Sequence, residues 1–476
     1  MTHTKDLNLM RTFRTGSGGL LLTAATLLLA GCESGIADDL VNVNPRDEIA
    51  PGAVLTSAGA GALYTGAVDR FSIAFSGNNG GDEGFANMTG MATDEWMHSG
   101  TFGTRVTFDQ RSDNADNGTI QNTLRRIHTA RIQAIRAQNA LLATGSTVAG
   151  DARVSEMLAM EGFTFVMAGE MFCAGMPFDP LDENGNLVDG NPLTTAEMFT
   201  EAITRLDAAI AGAPGAGNVI RNFATVAKAR AMMNLGKSQF NAAAALLANV
   251  PDNFEYMAFH STNGNRNGIF VFNTQNERWS IAHNEGINGL PFRGAGDGTD
   301  PSQADPRVPW TRTGGGTDVG FDTSTPQYDL LKYLTFEDDV VVASGTEARL
   351  MEAEALLNAG NASGMMDKLN ALRAGVTGLA PLTDPGTPTA REDLLFREKA
   401  FWLFGEGHRY GDLRRLVRQY SRNQASVFPN GVFFKGGDYG TDVTFPIHVL
   451  MEQNKIYGEL KANGTINIRG CLSDAA

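Results

Sequence analysis

Cysteine is almost absent, with three among 476 residues and no two of them spaced as C-x-x-C. The seven histidines are scattered and no H-E-x-x-H occurs, so the usual ligand spacings of a zinc site are missing. Positive charge is in deficit as well: 38 Lys and Arg stand against 53 Asp and Glu. That balance argues against nucleic acid as a partner and against adhesion to an anionic membrane by charge. Apolar runs are short. Leu20 to Ala30 spans eleven residues, whereas a helix crossing a bilayer needs about 20.

The Leu20–Ala30 run has the layout of an export signal. Lys5, Arg11 and Arg14 precede it, and it closes on "LLAGC" at 28–32. This ending resembles the bacterial lipobox, in which Cys32 receives lipid and becomes the first mature residue. The reading predicts a signal peptide over 1–31 and a body over 32–476. Loss of Lys5, Asp6, Arg11 and Arg14 leaves that body with 35 Lys and Arg against 52 Asp and Glu. Two cysteines remain, Cys173 and Cys471. An exported chain meets an oxidising compartment, so one disulfide is expected, with two free thiols as the alternative.

Helical periodicity dominates 118–143, 151–172, 194–212, 221–248, 345–374 and 390–420. Ile120, Leu124, Ile127, Ile135 and Leu142 can share one face of the first of these. "ALLATG" at 140–145, "AMMNLG" at 231–236 and "ALLNAG" at 355–360 close on glycine, the residue that most easily ends a helix in the left-handed region. Thr194–Glu197, Ser344–Glu347 and Thr389–Glu392 fit the S/T-x-x-E capping box. Matched starts and stops imply repeated helical hairpins, and "LGKSQFNAAAALLANVP" at 235–251 resembles a tetratricopeptide turn and second helix. "GIFVFN" at 268–273 and "GVFFKGG" at 431–437 are strand-like patches. The expected fold is mostly α, built of repeated helical hairpins separated by insertions. Two inserts, 71–117 and 255–340, are rich in Gly, Asn, Asp and Thr and carry Trp96, Trp279 and Trp310. Loops of that length in a compact domain are usually functional or disordered, and interleaved aromatics speak against disorder.

No catalytic motif emerges. "GAGDGTD" at 294–300 follows no strand–helix signal for a phosphate loop. "DENGNLVDG" at 182–190 starts with calcium-loop spacing but places Leu187 and Leu193 where such a loop needs Gly and Glu. It reads as a plain turn. "FWLFGEGHRYGDLRRL" at 401–416 concentrates Glu406, His408, Arg409, Asp412, Arg414 and Arg415. Gly405 and Gly407 break the preceding helix, so the charges fall at a corner between two packed helices. There Arg409 and Arg414 could pair with Glu406 and Asp412, or cap helix-end carbonyls. A structural clamp is favoured over an active site.

"LLAGC" at 28–32, "ATDEW" at 92–96, "EGFTFVMAGEMFCAGMPFD" at 161–179, "ARLMEAEALLNAGNASGMMDKLNALRAG" at 348–375, "FREKAFWLFGEGHRYGDLRRL" at 396–416 and "FPIHVLMEQN" at 445–454 occur in an order that resembles the SusD/RagB family of outer-membrane nutrient-binding lipoproteins. The resemblance implies a single domain over 32–476 in which about four tetratricopeptide-like pairs support a variable loop-built region. It also implies capture of oligosaccharide or peptide at the cell surface, and a SusC-like TonB-dependent transporter barrel as partner. No cofactor and no enzymatic activity are implied. A glycan-degrading enzyme on a helical scaffold and a lipoprotein that scaffolds envelope proteins remain alternatives. Sugars offer apolar C–H faces and many hydroxyls, so their binding surface calls for exposed aromatics beside polar groups. Trp96 with Asp94, Glu95 and His98 is the expected site, followed by Trp279 with Asn276 and Arg278, and Trp310 with Arg307 and Arg312. Trp402 is expected in the core.

Overall fold

The computed structural model describes residues 56–79, 82–213, 215, 217–312 and 318–465. The expected signal segment, Cys32 and Cys471 lie outside the described residues. Cys173 is disulfide-bonded and fully buried.

Among the described residues there are fourteen α-helices, in chain order α1 (Ser57–Ser76), α2 (Phe85–Met91), α3 (Gly103–Asp109), α4 (Gly118–Ala143), α5 (Ala152–Met171), α6 (Thr195–Gly212), α7 (Val219–Leu235), α8 (Phe240–Leu247), α9 (Gly268–Phe270), α10 (Gly345–Asn358), α11 (Ala362–Ala374), α12 (Pro388–Trp402), α13 (Arg409–Tyr420) and α14 (Lys455–Ala462). Short connections fold α4 onto α5, α6 onto α7, α10 onto α11 and α12 onto α13. These are the four expected pairs. Neighbouring pairs continue the stack: α5 packs on α6, α7 on α8, and α8 on α10. The helices start and stop for local reasons. Thr194 and Glu197 form the full reciprocal capping box of α6, and Ser344 accepts from the Glu347 N–H at the start of α10. Gly145, Gly236 and Gly360 all take positive φ just beyond helix ends.

Three expectations shift. The cap of α12 is Thr387, which accepts from the Ala390 N–H, so the helix starts before the Thr389–Glu392 box. "GIFVFN" is not a strand: Asn267 caps Phe270, and α9 runs on into a π-turn over Val271–Gln275. "GVFFKGG" makes one isolated bridge, Val432 to Asp438, around a tight turn. The "DENGNLVDG" segment is a turn as expected, its Asp182 carboxylate accepting from the N–H groups of Asn184 and Asn186 at 2.9 and 2.8 Å.

The inserts are ordered by short antiparallel ladders. β1 (Trp96–His98) pairs with the distant β2 (Trp279–Ile281), placing Trp96 opposite Ile281 and His98 opposite Trp279. A second ladder joins Trp310–Arg312 to Tyr328–Leu330. Both inserts thereby add to the main core, which runs continuously from the helical pairs through Trp96, Trp279 and Trp310. Among the described residues no helix is long and apolar enough to cross a membrane.

Candidate ligand-binding face

The residues expected to meet ligand are instead interior. Trp96, Glu95, His98 and Trp279 have no exposed surface, Asp94 has 1% and Trp310 has 2%. Trp96 packs against Phe404 and Trp279, with ring centroids 5.1 and 6.4 Å away. Trp279 stacks on Phe272 at 4.9 Å. Trp310 donates from Nε1 to the Arg293 carbonyl at 3.0 Å and meets Tyr328 edge to face. These rings fasten the inserts to the helical scaffold, and a sealed ring cannot stack on an arriving sugar. Trp402 is half-buried against the smaller cluster of α10, α11 and α12 side chains.

The polar residues around Trp96 serve the same attachment. Arg409 donates to both oxygens of Asp94, at 2.7 and 3.1 Å, and Asp94 also accepts from the Leu290 N–H at 2.8 Å. Arg409 and Arg414 do not pair with Glu406 and Asp412 as one expectation had it; Arg414 follows the alternative and binds helix-end carbonyls. Glu406 pairs with Lys332, and Asp412 pairs with Lys399 at 2.5 Å. Arg414 donates to the Gly169 and Glu170 carbonyls at the end of α5, at 2.9 and 2.5 Å. Arg415 grips Glu354 of α10 at 2.5 Å. The corner between α12 and α13 is thus tied to four other parts of the chain: both inserts, α5 and α10. Gly405 and Gly407, with φ of 72° and 71°, let the chain turn there.

Burial also sets the protonation of this interior. It pushes the Glu95 carboxyl up to about 8, against the opposing hydrogen bond from the Gly405 N–H. It pushes Glu347 up to about 8 as well, against the pull of Arg230. Burial, with Lys435 and Arg105 adding to it, drives His98 down to about 3, so its ring is neutral. The sign of the pH effect follows. An unfolded glutamate titrates near 4.5, so between that value and about 8 the native state binds more protons than the unfolded one. The contribution of Glu95 and Glu347 to stability is whole below pH 4.5 and is lost as pH rises through 8. Glu95→Gln and Glu347→Gln are each expected to shrink the drop in melting temperature between pH 6 and pH 9. A drop as large as the parent's in both variants would contradict this assignment.

The inserts do expose phenylalanine: Phe102 and Phe321 are 50% and 51% exposed, and Phe434, from the 431–437 turn, is 37% exposed. Phe102 occupies the N-cap position of α3, where its side chain makes no cap bond. Phe321 is brought beside it by backbone hydrogen bonds: its N–H donates to the Glu277 carbonyl at 2.8 Å, and the Asp322 N–H donates to the Ser99 carbonyl at 2.9 Å. The approach is close enough that a Cβ on Gly320 would collide with Ser99. Arg278 lies between these loops, with its guanidinium carbon 4.9 Å from the Phe102 centroid and 3.9 Å from that of Phe321. It alternates with the buried Trp279 at the start of β2, as side chains on successive strand residues do. Lys435 completes the patch by pairing with Asp322 and donating to the Gly100 carbonyl at 3.3 Å. Burial works against the Asp322 carboxylate, but hydrogen bonds from Lys435 and Thr325 hold it at about 2. Half-exposed rings beside hydrogen-bonding groups can stack on an apolar face and orient its polar edge. Sequence reading passed over these phenylalanines because it weighted tryptophan. The available signal was Arg278 itself, placed in a polar insert between aromatic segments. Among the described residues no group of three metal-ligating side chains occurs.

Residues 345–455, which include α10 to α13, match the family model of the SusD family. A SusD superfamily protein from Parabacteroides distasonis superposes with a TM-score of 0.63 at 15% identity, covering 84% of this chain and 98% of that one. A SusD superfamily protein from Bacteroides fragilis gives 0.60 at 14% identity, with 84% and 98% covered. A SusD-like carbohydrate binding protein from Bacteroides vulgatus gives 0.56 at 15% identity, with 76% and 84% covered. At these identities the structural likeness is one of fold. No curated protein matches the chain.

Proposed function

Because the chain belongs to the SusD family, we propose that it is a cell-surface binding protein that captures oligosaccharide and passes it to a TonB-dependent transporter barrel. The observation that carries the binding role is the half-exposed pair Phe102 and Phe321, set with Arg278 on the loop-built inserts. Structural resemblance to a carbohydrate binding protein supports glycan over peptide. The helical pairs act as the rigid support and the inserts as the variable recognition region. A lipid on Cys32 would hold the protein at the outer membrane. Recovery from the outer-membrane fraction as a chain starting at acylated Cys32, together with a large barrel protein, tests anchor and partner. Recovery of neither would favour a different envelope role.

A binding role is preferred to glycoside hydrolysis. That chemistry needs two carboxyls flanking the bond in an open cleft, one with a raised pKa. Burial raises Glu95, Asp109 and Glu285, but their exposures of 0%, 0% and 8% keep them from a glycosidic oxygen. The half-buried Asp113 and Asp442, raised by burial to about 7 and about 6, are engaged by Thr107, Asn117 and the Asp113 N–H. The binding surface is tested by Phe102→Ala and Phe321→Ala. Each is expected to weaken glycan retention by roughly tenfold or more with little change in melting temperature, since half of each ring already meets solvent. Unchanged retention in the double variant would remove this face from the proposal.

A further inference from the structure

Arg278 is the cation on this face that has no carboxylate. Its neighbours are already matched: Arg105 pairs with Glu83, and Lys435 pairs with Asp322. Among the described residues Arg278 forms no ion pair, and its Nη1 has no hydrogen-bond partner although that atom is closed to solvent. Arg278 is otherwise half-exposed, but a guanidinium donor closed to water with no acceptor is unfavourable. Cation–π contacts to Phe102 and Phe321 offset part of that cost, but they leave the in-plane N–H donors unused. Burial, with Arg105 nearby, keeps its pKa below the ordinary arginine value, as expected of an uncompensated charge.

The backbone is also shaped to hold Arg278 in place. Glu277, immediately before it, sits in the left-handed region at φ 51°, a conformation unfavourable for a residue with a Cβ. Two hydrogen bonds to the Glu277 carbonyl keep it there, from the Phe321 N–H at 2.8 Å and from Ser99 Oγ at 2.9 Å. A surface arginine with no task would not need a strained backbone fastened from two other loops. The chain as a whole is acidic, with a net charge of −15, so an unpaired, positioned cation between exposed rings is selective for what it admits.

We infer that Arg278 is a specificity-determining residue that binds the carboxylate of an acidic glycan, with Phe102 and Phe321 stacking on the sugar ring that bears it. This rests on the glycan-binding reading of the same face. A planar guanidinium matches a carboxylate with two parallel N–H···O bonds, which no neutral hydroxyl reproduces. The ligand class is thereby oligosaccharide containing uronic or other carboxylated residues.

An array of uronate-containing, other carboxylated and neutral oligosaccharides, probed with the full chain, tests this, with acidic peptides as a comparison set. Retention is expected on carboxylated glycans and to fall by about tenfold to a hundredfold when the carboxylate is methyl-esterified, the range of a charge-assisted hydrogen bond. Arg278→Gln is expected to lower retention of the acid form by a similar factor, to leave the ester unchanged and to keep the parent's melting temperature. Arg278→Lys should recover part of the loss. Retention confined to neutral glycans, or an Arg278→Gln variant that binds acid and ester as the parent does, would overturn the inference while leaving the glycan-binding face standing. Retention of acidic peptides alone, or of nothing on the array, would overturn both.

Discussion

Trp96→Ala is expected to lose about 3–5 kcal/mol of folding stability, the range for removing a large buried aromatic. Trp96 has no exposed surface and fills the space between Phe404, Trp279 and the backbone at Gly90 and Gly405. Its Nε1 has no hydrogen-bond partner, so the loss comes from packing and the cavity left behind. Thermal or denaturant unfolding should show the loss directly. Ligand retention should fall only in proportion to the folded fraction, because the half-exposed Phe102 and Phe321 do not depend on the indole for contact with solvent. A Trp96→Ala protein that melts with the parent yet loses binding would return Trp96 to the ligand surface.

Asp94→Ala is expected to cost a similar amount, about 3–5 kcal/mol, because it strips the partner from a buried guanidinium. Arg409 and Asp94 have side chains 6% and 1% exposed, and their paired contacts join α13 to the first insert. The Leu290 N–H loses its acceptor in the same step. The cost lies in the orphaned charge more than in the missing attraction, so removing both charges should be milder. Asp94→Asn combined with Arg409→Met is therefore expected to be more stable than Asp94→Ala. Equal melting of Asp94→Ala and the parent would show that this corner does not hold the insert.

The sequence by itself determined the helical scaffold. Helix periodicity and caps depend on residues three or four positions apart, so α4 could be placed over 118–143 and the start of α6 at Thr194 without knowledge of any distant contact. The same locality put the glycine stops at 145, 236 and 360 and a break at Gly405. It also placed the 401–416 charges at a corner between two paired helices.

What tertiary structure alone decided is which side chains of the inserts face inward. Trp96 and Trp279 lie 183 positions apart, and both are buried because β1 pairs with β2 and lays their rings against Phe404 and Phe272. A tryptophan in a polar loop carries no local mark that distinguishes an anchor from a platform. The ion-pair partners follow the same rule: Arg409 finds Asp94, and Arg415 finds Glu354, across long stretches of chain. The exposed Phe102, Arg278 and Phe321 meet through backbone bonds among three separate loops. The physical reason is that burial of large rings and pairing of buried charges are satisfied by whichever groups the fold brings within contact, and sequence spacing places no limit on that distance.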